Sequence, residues 1–150
     1  MLTVLGIEGR RMAKRSSKKR AKDSAWSSFS RYIRLRDCIA TTGDYTKGFC
    51  ITCSREYPFK KLQAGHLIGG RNNAVLFDEE IVNAQFIICN VYKGGNYVRY
   101  AIVMTNRHSV EWVENKLKAS NETVKYTEDD YKEIREKYDK KSEHLLSEIA

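Results

Sequence analysis

From Trp26 onward, large apolar residues recur at helical spacing: Trp26, Phe29 and Ile33, with Arg36 continuing the same face. That period predicts an α-helix with one buried stripe. Asp23 precedes it and suits an N-cap, so order is expected to begin there. Arg31 and Arg34 lie off the stripe, where they can face a phosphate backbone. Thr41 to Asp44 reads as a loop. Phe49 to Thr52 and Glu56 to Phe59 read as two short strands around a cysteine knuckle, and Leu62 to Ile68 as a third. Gly69 to Asn73 reads as a flexible loop. Glu79 to Cys89 mixes helical and strand spacing and is ambiguous between the two. Tyr97 to Asn106 and Val110 to Lys118 read as helices. Thr127-Glu128-Asp129-Asp130 is a capping box for a last helix to about Ser147, with Tyr131, Ile134, Tyr138 and Leu145 as its inner stripe.

Composition narrows the class. The chain has 150 residues, 41% hydrophobic and 31% charged, so one globular domain is expected rather than a disordered chain. There is one proline, Pro58, which excludes proline-rich linkers. No apolar run reaches the roughly 20 residues of a membrane span. Met1 to Ile7 is too short for a secretory signal and lacks a basic start. The expectation is a soluble protein in a reducing cytoplasm, with no membrane contact.

Charge placement points to a partner. The formal net charge is +8, and residues 1–40 alone balance to +8, whereas residues 121–150 balance to −3. Residues 10–22 hold eight basic side chains and no acid, including Lys14, Arg15, Lys18, Lys19 and Arg20. Self-repulsion predicts a disordered arm over 1–22, ahead of a folded domain at 23–150. A basic arm on a near-neutral body suits a polyanion, nucleic acid first; the plainer reading is a solubilising tail.

Four cysteines are present: Cys38, Cys50, Cys53 and Cys89. Cys50-Ile51-Thr52-Cys53 offers two corners of a tetrahedral zinc site, and Cys89 a third. Cys38, Asn83, water or nothing completes it. The plainer reading is three buried thiols held by packing. A redox pair is disfavoured because no thioredoxin-like unit surrounds the motif.

The ordered set Cys50-x-x-Cys53, Ala64-Gly65-His66, Arg71, Gln85-x-x-x-Cys89-Asn90 and Gly95-Asn96 resembles the NinG recombination proteins of lambdoid phages. These look like members of the HNH, or ββα-metal, nuclease superfamily. The resemblance runs from residue 22 to about 147. It implies an α+β fold, with a small zinc-knuckle ββα core flanked by N- and C-terminal helices. It implies His66 as general base, Asn90 (with Asn83) holding Mg²⁺ or Mn²⁺, and Arg71 gripping phosphate, with structural zinc on Cys50, Cys53 and Cys89. Such residue types suit metal-assisted phosphodiester cleavage. Gly65 is expected to let backbone approach DNA. The sequence departs from the family pattern at Ile81, in place of the middle Asn of the HNH triplet, at Asn83, in place of a His, and at Phe86, in place of a zinc cysteine.

The implied function is metal-dependent cleavage of branched or single-stranded DNA in recombination, in the cytoplasm of an infected bacterium. Lys14, Arg15, Lys18, Lys19, Arg20, Arg31, Arg34 and Arg71 are the expected nucleic-acid contacts. A homodimer and phage or host recombination proteins are the expected partners. The alternative is a nuclease-dead module that binds DNA junctions or a recombination protein. The tyrosines and tryptophans at helical spacing read as core, with Tyr92 or Tyr97 the alternative candidates to touch a sugar or base.

Overall fold

A computed structural model describes residues 16–70 and 72–149. The fold is α+β, with helices flanking two small antiparallel sheets. Its first helix, α1, spans Ser17–Thr42. Ser16 caps it, its side chain accepting from the Lys19 N–H at 3.2 Å. Lys19 also pairs with Asp23 at 3.3 Å, one turn on. Lys18, Lys19, Arg20 and Lys22 therefore lie within the helix, which starts six residues before the boundary expected at Asp23. An early cap and a local ion pair offset the repulsion among the cations. The expected contacts Lys14 and Arg15 lie outside the described residues.

A left-handed Gly43, at φ 75°, ends α1 with its N–H on Ile39 O. Lys47–Phe49 (β1) and Glu56–Pro58 (β2) then form a hairpin around the cysteine knuckle. The second sheet pairs Leu62–His66 (β3) with Val82–Phe86 (β4), in register from Leu62↔Phe86 to His66↔Val82. Between them lies one helical turn, α2, Asn73–Leu76, capped by the Asn72 side chain; the reading of a loop through Asn73 is corrected there. A π-helical turn, Ile88–Tyr92, leads into α3 (Tyr97–Arg107), α4 (Val110–Ala119) and α5 (Glu128–Ile149).

The core forms where α1 packs on the β3–β4 sheet and α5 packs along α1. Phe29 and Ile33 are fully buried beside Ile81, Val82 and Tyr100. Tyr138 of α5 meets Phe29 edge-on at 4.8 Å. The capping box forms: Thr127 N–H donates to Asp130 Oδ2 at 2.7 Å, and Asp130 N–H donates to Thr127 Oγ1 at 3.1 Å. Tyr131 and Tyr138 are buried as expected, while Ser142 is the buried residue of the next turn.

Polar groups also tie α1 to β4. Arg36 donates to Glu79 O at 2.8 Å and to Val82 O at 2.9 Å, and Asp37 accepts from the Ala84 N–H at 2.6 Å. Thus α1 holds β4 by backbone hydrogen bonds as well as by packing. A displaced helix would leave several half-buried polar groups unmade.

Candidate functional site: a histidine cavity and a thiol cluster

His66 is the last residue of β3. The following residue, Leu67, donates its N–H to Ile81 O at 2.9 Å, closing the excursion through α2. His66 is only 8% exposed, and its Nε2 lies 3.1 Å from Leu76 O. A carbonyl only accepts, so Nε2 carries the hydrogen and the basic lone pair of the neutral ring sits on Nδ1. Trp26 stacks on the imidazole at 5.3 Å and 19°. The ring is thus oriented from two sides, by α1 and by the α2 turn.

A cavity of about 520 Å³ opens beside it, walled by Trp26, Arg34, Gln63, His66, Asn90 and Tyr97. Asn90, on the π-helical turn, donates its amide to Gln63 Oε1 at 2.8 Å, which leaves its own carbonyl oxygen as an acceptor. Arg34 donates from Nε to Ser30 O at 3.2 Å, and its guanidinium lies 4.4 Å from the centre of the Phe59 ring. Burial pulls its pKa down, and no carboxylate among the described residues offsets that. No Asp or Glu among the described residues lines the cavity.

Three of the expected site residues, His66, Asn90 and Arg34, therefore share one cavity. Asn83 does not join them. Its amide donates to Tyr100 OH at 3.0 Å, its oxygen accepts from Arg36 at 3.4 Å, and it lines a separate depression with Asp37 and Arg107. It serves the core network behind β4 and is not brought together with Asn90. Arg31 is exposed on another face, beside Tyr45 and Lys60. Lys18, Lys19 and Arg20 are carried on the first turns of α1, and Arg71 lies outside the described residues.

Gly65 has a reason within the fold itself. A Cβ there would collide with the side chain of Gln85, meeting its Cβ at 2.9 Å. Gln85 is fully buried and donates to Gly95 O at 2.7 Å, tying the sheet to the turn before α3. Sequence reasoning missed Trp26 and Gln63 as cavity walls. Trp26 sits on the stripe that reads as core, and nothing in the spacing of Gln63 marks it out.

The second cluster is Cys50, Cys53 and Cys89, whose sulfurs lie within 4.8 Å of one another, close enough to bind a metal ion. Burial alone raises the Cys50 thiol. Hydrogen bonds from the N–H groups of Cys53 and Phe86 and from the Thr52 hydroxyl outweigh it and hold the thiol below its usual range. Burial pushes Cys89 the other way. Tyr57 OH lies 3.4 Å from Cys53 Sγ, and that contact pushes its pKa up to about 12. Phe86 occupies the position where a fourth thiol was expected and stacks on Tyr57 at 3.7 Å and 8°. Cys38 stands apart, buried against Gly48, Leu62 and Ala84, with its thiol raised to about 11 by burial. It is not in the cluster. Three sulfurs suit a thiophilic ion, for which a tetrahedral edge of about 3.8 Å follows from the Zn–S bond length.

These features define a small α+β domain with a histidine cavity at the end of β3 and a three-thiol cluster between the β1–β2 knuckle and the π-helical turn after β4. The chain matches the family described as bacteriophage lambda NinG protein over residues 8–148, and it belongs to that family. Membership implies a phage protein related to recombination. No curated protein and no solved structure matches the chain. No helix among the described residues is long and apolar enough to cross a membrane.

Proposed function

We propose that the chain binds branched or single-stranded DNA during phage recombination and cleaves it as a metal-dependent, HNH-like endonuclease. One observation carries this reading: His66 closes the first strand of a hairpin, its Nε2 held by the Leu76 carbonyl, in a cavity shared with Asn90 and Arg34. The chain order of β3, β4 and a following helical segment bearing Asn90 agrees with a ββα unit. His66 Nδ1 takes a proton from water, and Arg34 holds the phosphate, with Arg71 as a second grip. Cys50, Cys53 and Cys89 hold a structural zinc that ties the β1–β2 knuckle to the turn before α3. Asn90 would hold Mg²⁺ or Mn²⁺ through its neutral side-chain oxygen. Bound there, the ion offsets charge on the phosphate and the leaving oxygen. The setting is the cytoplasm of an infected bacterium, with a homodimer cutting two strands and recombination proteins as partners.

A second reading, a nuclease-dead module that binds junctions or a recombination protein, has its own support. The cavity walls among the described residues contain no carboxylate, so divalent-ion affinity is weak before DNA arrives. One assay separates the two. Labelled four-way junctions and forks are incubated with Mg²⁺ or Mn²⁺ and the full chain or His66→Ala. Cleavage at least about 100-fold faster for the unaltered chain, with equal binding, supports the enzyme. Equal binding with no difference in cleavage supports the module.

A further inference from the structure

Of the eleven large apolar side chains exposed among the described residues, six fall between Ile88 and Ile102. The most exposed are Tyr92, at 77%, and Val98, at 79%, with Val91 at 54%. Single exposed apolar residues are ordinary, but a run of them in one short stretch is not. The charge pattern over the same stretch is equally one-sided. Residues 81–110 contain no Asp or Glu and carry Lys93, Arg99 and Arg107.

The turn that presents Tyr92 is held firmly. Lys93 N–H bonds to Ile88 O at 2.9 Å, Gly94 N–H to Val91 O at 3.2 Å and Gly95 N–H to Cys89 O at 3.1 Å. Gly94, Gly95 and Asn96 all take left-handed backbone, at φ 57°, 92° and 50°, which turns the chain back into α3. Gln85 grips the turn from the sheet side through Gly95 O. An exposed aromatic on a pinned turn loses little freedom on binding, so its contact energy is largely kept. The stretch also adjoins the cavity, because Asn90 and Tyr97 are on its walls.

We propose that Val91 and Tyr92 form a wedge that stacks against unpaired or unstacked bases at a DNA branch, with Lys93 and Arg99 on the flanking phosphates. Unpaired nucleotides offer a π-face and a backbone of fixed negative charge, and both demands are met here by an aromatic tip on a stretch of chain that carries cations and no acid. Intact duplex hides its base faces, so the wedge gives preference for branched over linear DNA. This rests on the reading of the chain as a protein that binds branched DNA and adds to it the side chains that contact the unpaired bases.

The test measures binding of the full chain to a four-way junction carrying 2-aminopurine at the branch, and to linear duplex of the same sequence. Tyr92→Ala is expected to weaken junction binding roughly 10-fold, with a change under about twofold on duplex, while Tyr92→Phe keeps junction affinity because the ring is retained. The 2-aminopurine signal should respond to the unaltered chain and to Tyr92→Phe, but not to Tyr92→Ala. Equal junction affinity for all three proteins overturns the wedge while leaving DNA binding intact. No binding to either DNA overturns both readings. If the unaltered chain is a dimer in solution and Tyr92→Ala a monomer with unchanged DNA affinity, the surface joins two copies and the proposal falls.

Discussion

The histidine cavity and the thiol cluster each meet a departure from the family pattern, and each accommodates it differently. Around His66, Ile81 stands where a hydrogen-bonding Asn was expected, yet the imidazole is still oriented, by Leu76 O on one edge and by Trp26 on one face. The ring is held by groups other than a residue-81 amide. In the knuckle, Phe86 stands where a thiol was expected, and what replaces it is packing, the stack on Tyr57 at 3.7 Å. There one thiol fewer is offered while Phe86 is still packed. A side chain that positions another can be exchanged for different chemistry, because only the direction of a ring matters. A ligand cannot be exchanged in that way, because its electron pair is the function.

That contrast can be broken most visibly at the thiols. Cys50→Ser is expected to remove about one bound zinc per chain and to lower the melting temperature by roughly 10 °C, since structural zinc contributes directly to folding. Metal analysis and a thermal scan check both outcomes, with His66→Ala as the control that keeps its metal. No zinc in the unaltered chain purified without chelator would show that the cluster is three packed thiols, and metal retained in Cys50→Ser would show that Cys50 is not a ligand.

The next expected effect is at Ile81, which is fully buried. Restoring the family residue with Ile81→Asn is expected to lower stability by about 3 kcal/mol in urea unfolding, because an amide enters an apolar site and a cavity is left. Cleavage is not expected to rise, since Leu76 and Trp26 already orient the ring. A faster variant with undiminished stability would show that the Asn position still limits the site.

The smallest effect sharpens the knuckle side. Tyr57→Phe keeps the stack on Phe86 and removes only the hydroxyl beside Cys53. A loss of about 1 kcal/mol is expected, the net value of one hydrogen bond, with zinc retained. Loss of the metal instead would show that the phenol oxygen acts as a ligand.

How legible these features were depended on whether the chemistry is local. The cysteine spacing, the capping box at Thr127 and the helices at Tyr97 and Val110 are short-range patterns, and the structure agrees with them. β4 was ambiguous because four of its five residues are buried, so the alternation that marks a half-exposed strand is missing. The start of α1 was missed because net repulsion outweighed, in the reading, a Ser cap and one i,i+4 ion pair. The cavity was half legible. His66 and Asn90 stood out by motif, whereas Trp26 and Arg34 reach it from a helix distant in the chain. Asn83 was drawn toward the metal by its position in the motif, but its partners Tyr100 and Arg36 belong to the core behind the sheet.

The early start of α1 has a consequence for measuring distance. Ser17 to Thr42 is one continuous helix, so Lys19 and Arg34 are separated by a rigid rod rather than a slack chain. Fifteen residues at the helical rise make that separation about 22 Å. Along duplex DNA the same span is between six and seven base pairs, roughly, at about 3.4 Å per pair. On the DNA-binding reading the helix acts as a ruler, and Lys19 and Arg34 touch phosphates at that interval. Shortening the duplex arm below that length should cost one set of contacts abruptly, where a flexible tail would let affinity decline gradually.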